Sequence, residues 1–168
     1  MTTTDIHASL RQLFTELVEG APPHGAFMLN SGDIGFLRSL DHLSAGDASH
    51  AVDGGATIAA HVQHVRYGLS LMNHWATAGG NPFANAKWEE AWKISSVNEP
   101  EWLEIRNGLR VEAEQWRTVL GTPRDLNAME LTGLIASIAH VGYHLGAIRQ
   151  IAKGARGPKE GVYGEASG

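Results

Sequence analysis

The stretch TIAAHVQHVRYGLSLMNHWATA, residues 57–78, decides the fold class. Ile58, Val62, Val65, Leu69, Met72 and Ala76 recur at spacings of four, three, four, three and four, which puts them on one stripe of an α-helix. That is the seam of a helix packed in an antiparallel bundle. Gly79-Gly80-Asn81-Pro82 ends it, because glycine releases the backbone and proline cannot continue a helix.

Working outward, the same period recurs on both sides. Ile6, Leu10, Leu13 and Leu17 predict a helix that begins at Thr4 as its cap and stops at Gly20, before Pro22-Pro23. Ile34, Leu37 and Leu40 predict a short helical turn within 33–43, and SAGDASHAVDGGA, residues 44–56, reads as a loop. Phe83, Trp88 and Trp92 mark a short helix within 83–95 that crosses the bundle. Asn98 with Glu101 and Asn127 with Glu130 are capping boxes, in which each side chain satisfies the other residue's backbone N–H. They open two further long helices. One runs through Trp102, Ile105, Leu109, Ala113, Trp116 and Leu120, the other through Leu131, Ile135, Ile138, Val141 or Gly142, Leu145 and Ile148 to Gly154. The expectation is an all-α, up-down four-helix bundle with short extra helices in its connections, one domain over 1–153 and an irregular glycine-rich tail over 154–168.

Composition narrows the functions open to such a bundle. The 168 residues carry a net charge of -5 and no basic run, which argues against nucleic acid as a partner. No basic and apolar leader opens the chain, and no stretch of about 18 unbroken apolar residues marks a membrane span, so a cytoplasmic protein is expected. Without cysteine, a metal must be held by nitrogen and oxygen. The nine histidines are the residues to follow.

His140 and His144 stand four apart, so their rings leave one face of the last helix about one turn from each other. Chance predicts about 0.5 such pairs for nine histidines in this length, so the spacing alone is weak. Position strengthens it. The pair shares a stripe with Gly133, Ala136, Ser137 and Ala147 beside the apolar seam, and His61 and His64 lie next to Ala60 and Gly68 on residues 57–78. Small neighbours leave space beside the rings, and imidazoles facing a core need a hydrogen bond or a metal. Three imidazoles on a divalent ion leave a coordination position open for water or substrate. Zinc or nickel suits them. His64 is the preferred third ligand, beside Val65 with Gly68 one turn on, and His61 is its understudy. The competing reading is a metal-free bundle with hydrogen-bonded histidines. His74 is about 15 Å beyond His64 along the helix, and His7, His24, His42 and His50 are expected at the surface.

The segments TIAAHVQHVRYGL and IAHVGYHLGAIRQI resemble the second and fourth helices of the DinB/YfiT-like superfamily, and the helical order matches over residues 4 to 153. The resemblance implies a bundle with one metal ligand from the second helix and two from the later pair, falling here on His64, His140 and His144. It also implies a homodimer, and an activity among metal-dependent thiol S-transferases and hydrolases acting on small molecules. The alternative is a non-catalytic, dimeric metal- or ligand-binding module.

The residues favour one chemistry mildly. Neither histidine stripe contains Asp or Glu to serve as a base for hydrolysis, whereas a low-molecular-weight thiol is activated by the metal itself. Glu16, Glu89 and Glu90 come from other segments and are the carboxylates to look for at the site. Tyr67, as a hydrogen-bond donor, and Arg149, as a carboxylate holder, are the other candidates, each with a purely structural alternative. Trp88 and Trp92 are candidates for a roof over the pocket or for a dimer face.

Overall fold

The computed structural model describes residues 2–158. Among them there are seven α-helices and no strand: α1 (Thr3–Glu19), α2 (Gly35–Asp41), α3 (Ala45–Ala48), α4 (Ile58–Ala78), α5 (Trp88–Trp92), α6 (Glu99–Gly121) and α7 (Ala128–Ile151). Four of these are long. They touch in a closed ring of pairs, α1 on α6, α6 on α4, α4 on α7 and α7 on α1.

Side-chain caps set most of the helix starts. Asn98 with Glu101 and Asn127 with Glu130 make the reciprocal bonds expected of them, and the Thr57 hydroxyl accepts from Ala60 N–H at the head of α4. Two starts differ from the sequence expectation. The cap of α1 is Thr2, paired with Asp5, so that helix begins before Thr4. Within the segment expected to be a loop, Ser44 and Asp47 form a capping box that nucleates the four-residue α3. At the other end, α7 stops at Ile151 and a 3-10 turn, Lys153–Ala155, brings Ala155 back into the core.

The core is continuous. The seam of α6 is buried residue for residue as its spacing predicts. Trp102 and Trp116 are fully enclosed, and each finds a partner for its indole N–H, Leu43 O at 2.8 Å and Ser137 Oγ at 2.9 Å. On α7 the seam is Leu134, Ile138, Val141, Leu145 and Ile148, while Ile135 is 53 % exposed. On α1 the buried stripe is His7, Leu10, Phe14, Leu17 and Val18, with Ile6 and Leu13 only partly covered. Each shift turns the helix by about one residue, which a sequence with apolar residues on both flanking positions does not forbid. By length and composition α7 would also pass for a membrane-crossing helix, yet it packs here against α1 and α4.

Buried polar groups fasten the segment between α1 and α2 to α1 and α7. The Glu16 carboxylate is buried and accepts N–H bonds from Phe27, Met28 and Leu29. Asp33, also buried, pairs both oxygens with the Arg149 guanidinium at 2.8 Å. Beside them Gly20 and Gly35 pass backbone against backbone at positive φ, and a Cβ on Gly20 would stand 2.5 Å from Asp33 O.

Candidate metal centre

Because α4 and α7 are neighbours, their histidines meet between them. His140 Nε2 lies 3.2 Å from His64 Nε2 and 3.0 Å from His144 Nε2, and one ring nitrogen from each of the three falls within 4.8 Å of the others. His64 and His144 are buried and His140 is half-buried. Among the described residues this is the one group of histidines and carboxylates close enough to hold an ion.

Counting protons tests whether a cation fits. A neutral imidazole offers one N–H and one lone pair, so the shared His140 Nε2 can serve one neighbour, as donor or as acceptor. The second contact then has no proper partner. Three Nε2 lone pairs turned to a common point remove the conflict if a cation sits there. Nitrogens bound tetrahedrally at about 2.0 to 2.1 Å stand about 3.3 Å apart, close to the spacings seen. The donor set and its geometry therefore fit a divalent transition ion.

The electrostatics agree. Burial, helped by the neighbouring imidazoles, pushes His144 down to about 3 and His64 down to about 4, and burial lowers His61 and His140 as well. All four rings are thus held neutral near pH 7, the form that ligates metal.

His61 takes a different place from the one open to it in the sequence. Its Nδ1 lies 2.9 Å from His144 Nδ1, on the side of that ring opposite the cluster. With a cation on its Nε2, His144 would carry its ring proton on Nδ1 and donate it to His61 Nδ1. His61 thus stands behind His144 and orients it, while His64 joins the cluster.

The crossing helix α5 covers the rings. Trp92 stacks on His64 with centroids 4.4 Å apart and meets His61 edge-on at 5.4 Å, and Trp88 lies 5.5 Å from His64. Beside this roof a cavity of about 500 Å³ opens between α4 and α7. His64 and His140 form one wall, with Gly68, Leu69, Met72, Phe83, Trp88, Gly133, Ala136 and Ser137 around it. The stripes of small residues leave the space expected of them. A larger cleft of about 1090 Å³ runs along α1 and α6, but it contains no histidine, and its Arg110 and Arg117 are paired with Asp41 and with Glu19 and Glu114.

Other candidates lie elsewhere. Tyr67 accepts from Lys87 N–H through its hydroxyl and packs edge-on to Trp88, outside the cavity wall. Arg149 gives two N–H groups to Asp33 and a third to Ala155 O, which spends the edge a substrate carboxylate would need. Glu16 is held by the 27–29 backbone, Glu90 pairs with Lys93, and Glu89 is exposed. Among the described residues, no carboxylate lines the cavity.

His7, expected at the surface, is fully buried, its Nδ1–H donating to Leu120 O at 2.8 Å and its Nε2 accepting from Arg124 N–H at 3.3 Å. It ties α1 to the last turn of α6, whose terminal carbonyls lack helical partners. The signal was present, since His7 continues the spacing of Leu10, Phe14 and Leu17.

No family model, curated protein or solved structure matches this chain. Its chemistry is therefore read from the site itself.

Proposed function

We propose that the chain is an up-down four-helix bundle of the DinB/YfiT-like kind, a metal-dependent enzyme that transforms a small molecule at His64, His140 and His144. The observation that carries this reading is the close approach of three Nε2 atoms that no arrangement of neutral protons satisfies. Zinc or nickel is the ion such ligands favour. Bound there, it would supply Lewis acidity, stabilising the deprotonated form of a water or thiol presented to it.

The chain's own residues supply positioning. His61 fixes the tautomer of His144, and Trp88 and Trp92 keep water from the buried side of the rings. With no carboxylate among the described residues of the cavity wall to take a proton from water, transfer to or from a low-molecular-weight thiol is favoured over hydrolysis. The test is a screen of tag-free, zinc- or nickel-loaded protein against aryl esters, and against electrophiles with and without thiols. Turnover that vanishes on chelation and in His144→Ala is expected. Stoichiometric metal with no turnover in any arm would overturn the enzymatic reading.

A second reading, a dimeric metal- or ligand-binding module, has its own support in the outer face of α7. Met129, Ile135 and Tyr143 are 79 %, 53 % and 69 % exposed there, an apolar surface that a second copy of the chain would cover. Sedimentation of wild type against Ile135→Glu with Tyr143→Glu tests the dimer. A monomeric wild type would remove it.

A further inference from the structure

The cavity beside the histidines carries more information than its size. Among the described residues, none of the side chains around it is charged. Its Ser137 hydroxyl is already committed, donating to Leu134 O and accepting from Trp116 Nε1. The rest of the wall is thioether, methyl and methylene groups, helix backbone at Gly68 and Gly133, and the rings of Phe83 and Trp88. A charged or polyhydroxylated ligand would leave its hydration shell here and find no replacement. The imidazole wall of His64 and His140 is the single exception among the described residues.

From this lining we infer that the cavity binds a neutral, apolar, ring-sized molecule, flat enough to lie against Trp88 and Phe83, with any polar group at the end facing His64 and His140. The volume of about 500 Å³ suits such a ligand, and the aromatic walls supply the contact area that fixes its plane. Gly68 keeps the slot open. A Cβ there would already touch Trp88 at 3.8 Å and His140 at 3.9 Å, so a longer side chain would fill the gap between them. Ala136, on the solvent side of α7, guards the mouth in the same way. The inference rests on the proposed enzymatic reading in one respect, since it assigns this space to the substrate; a charged thiol finds no counter-ion in it.

A matched pair of fluorescent probes tests it. N-phenyl-1-naphthylamine is neutral, and 8-anilinonaphthalene-1-sulfonate has the same ring system with a sulfonate added. The neutral probe should bind saturably at one site per chain, at least about tenfold more tightly than the sulfonate. Gly68→Leu should weaken it by about tenfold or more. Because Gly68 is buried, Ala136→Leu on the exposed rim provides the independent control and should act in the same direction. Equal binding of the two probes, no saturable binding of the neutral one, or binding unchanged in both variants would overturn the inference. Metal content read on the same samples separates the two claims. Stoichiometric metal without probe binding overturns the substrate class alone, and probe binding without metal overturns the metal reading alone.

Discussion

Two sets of buried polar residues lie at opposite ends of the fold's logic. At one, Glu16, Asp33, Arg149 and His7 each meet partners supplied by the protein, carbonyl to N–H and carboxylate to guanidinium. At the other, His64, His140 and His144 meet chiefly one another, with one proton too few or one lone pair too many. The difference teaches how to tell a fastening from a site. A fastening closes its hydrogen-bond account internally, whereas a site leaves groups that only something from outside can satisfy.

The comparison can be broken first at the ligands. His140→Ala or His144→Ala should lower metal affinity by more than about a hundredfold, beyond the range for outer partners, while the far-UV circular dichroism stays that of wild type. Competition with a chromophoric chelator measures this. A change below about threefold in both variants would merge the two sets into one structural class.

Next come the fastenings. Asp33→Ala leaves the partly buried Arg149 guanidinium without its partner, and should cost about 3 kcal/mol in urea unfolding with metal stoichiometry unchanged. Loss of metal in parallel would show that the two sets are not separable.

His61→Phe sharpens the comparison, because His61 touches the site through His144 alone among the ligands' ring nitrogens. Affinity should fall about 10-fold to 100-fold, with one ion still bound and the absorption bands of a cobalt-substituted sample shifted. An unchanged spectrum and affinity would remove its positioning role.

The smallest effect is on pH. Unfolded imidazoles titrate near 6.5, whereas folded His64 and His144 are lowered to about 4 and about 3. Between those values the unfolded chain binds more protons, so the metal-free protein loses stability as pH falls below 6.5 and loses none from this source above it. Thermal unfolding from pH 7.5 to 5.5 should show a downward shift of a few degrees, reduced in His64→Gln. A midpoint that rises on acidification would contradict the depressed values.

Much of this was legible in the chain. The α6 seam and the boxes at Asn98 and Asn127 are local signals, and local physics delivered them unchanged. The i, i+4 pair on α7 was legible for the same reason, and the small residues beside it announced the cavity. What the sequence left hidden was long-range. The choice between His61 and His64 turns on which way α4 faces α7, and the partners of His7, though not its burial, depend on the end of α6 lying beside it. Ile135 and Leu134 are adjacent apolar residues, and only packing selects one. Arg149 and Tyr67 looked available because Asp33 and the Lys87 N–H, 116 and 20 residues away, are invisible to a spacing argument.

The most direct test of the three-histidine account is X-ray absorption at the metal edge, on tag-free protein loaded with zinc and freed of excess by dialysis. One zinc per chain, with three imidazole nitrogens at about 2.0 to 2.1 Å and a lighter fourth scatterer, is the result the account predicts. Less than a tenth of an equivalent retained, or a shell without imidazole scattering, would contradict it.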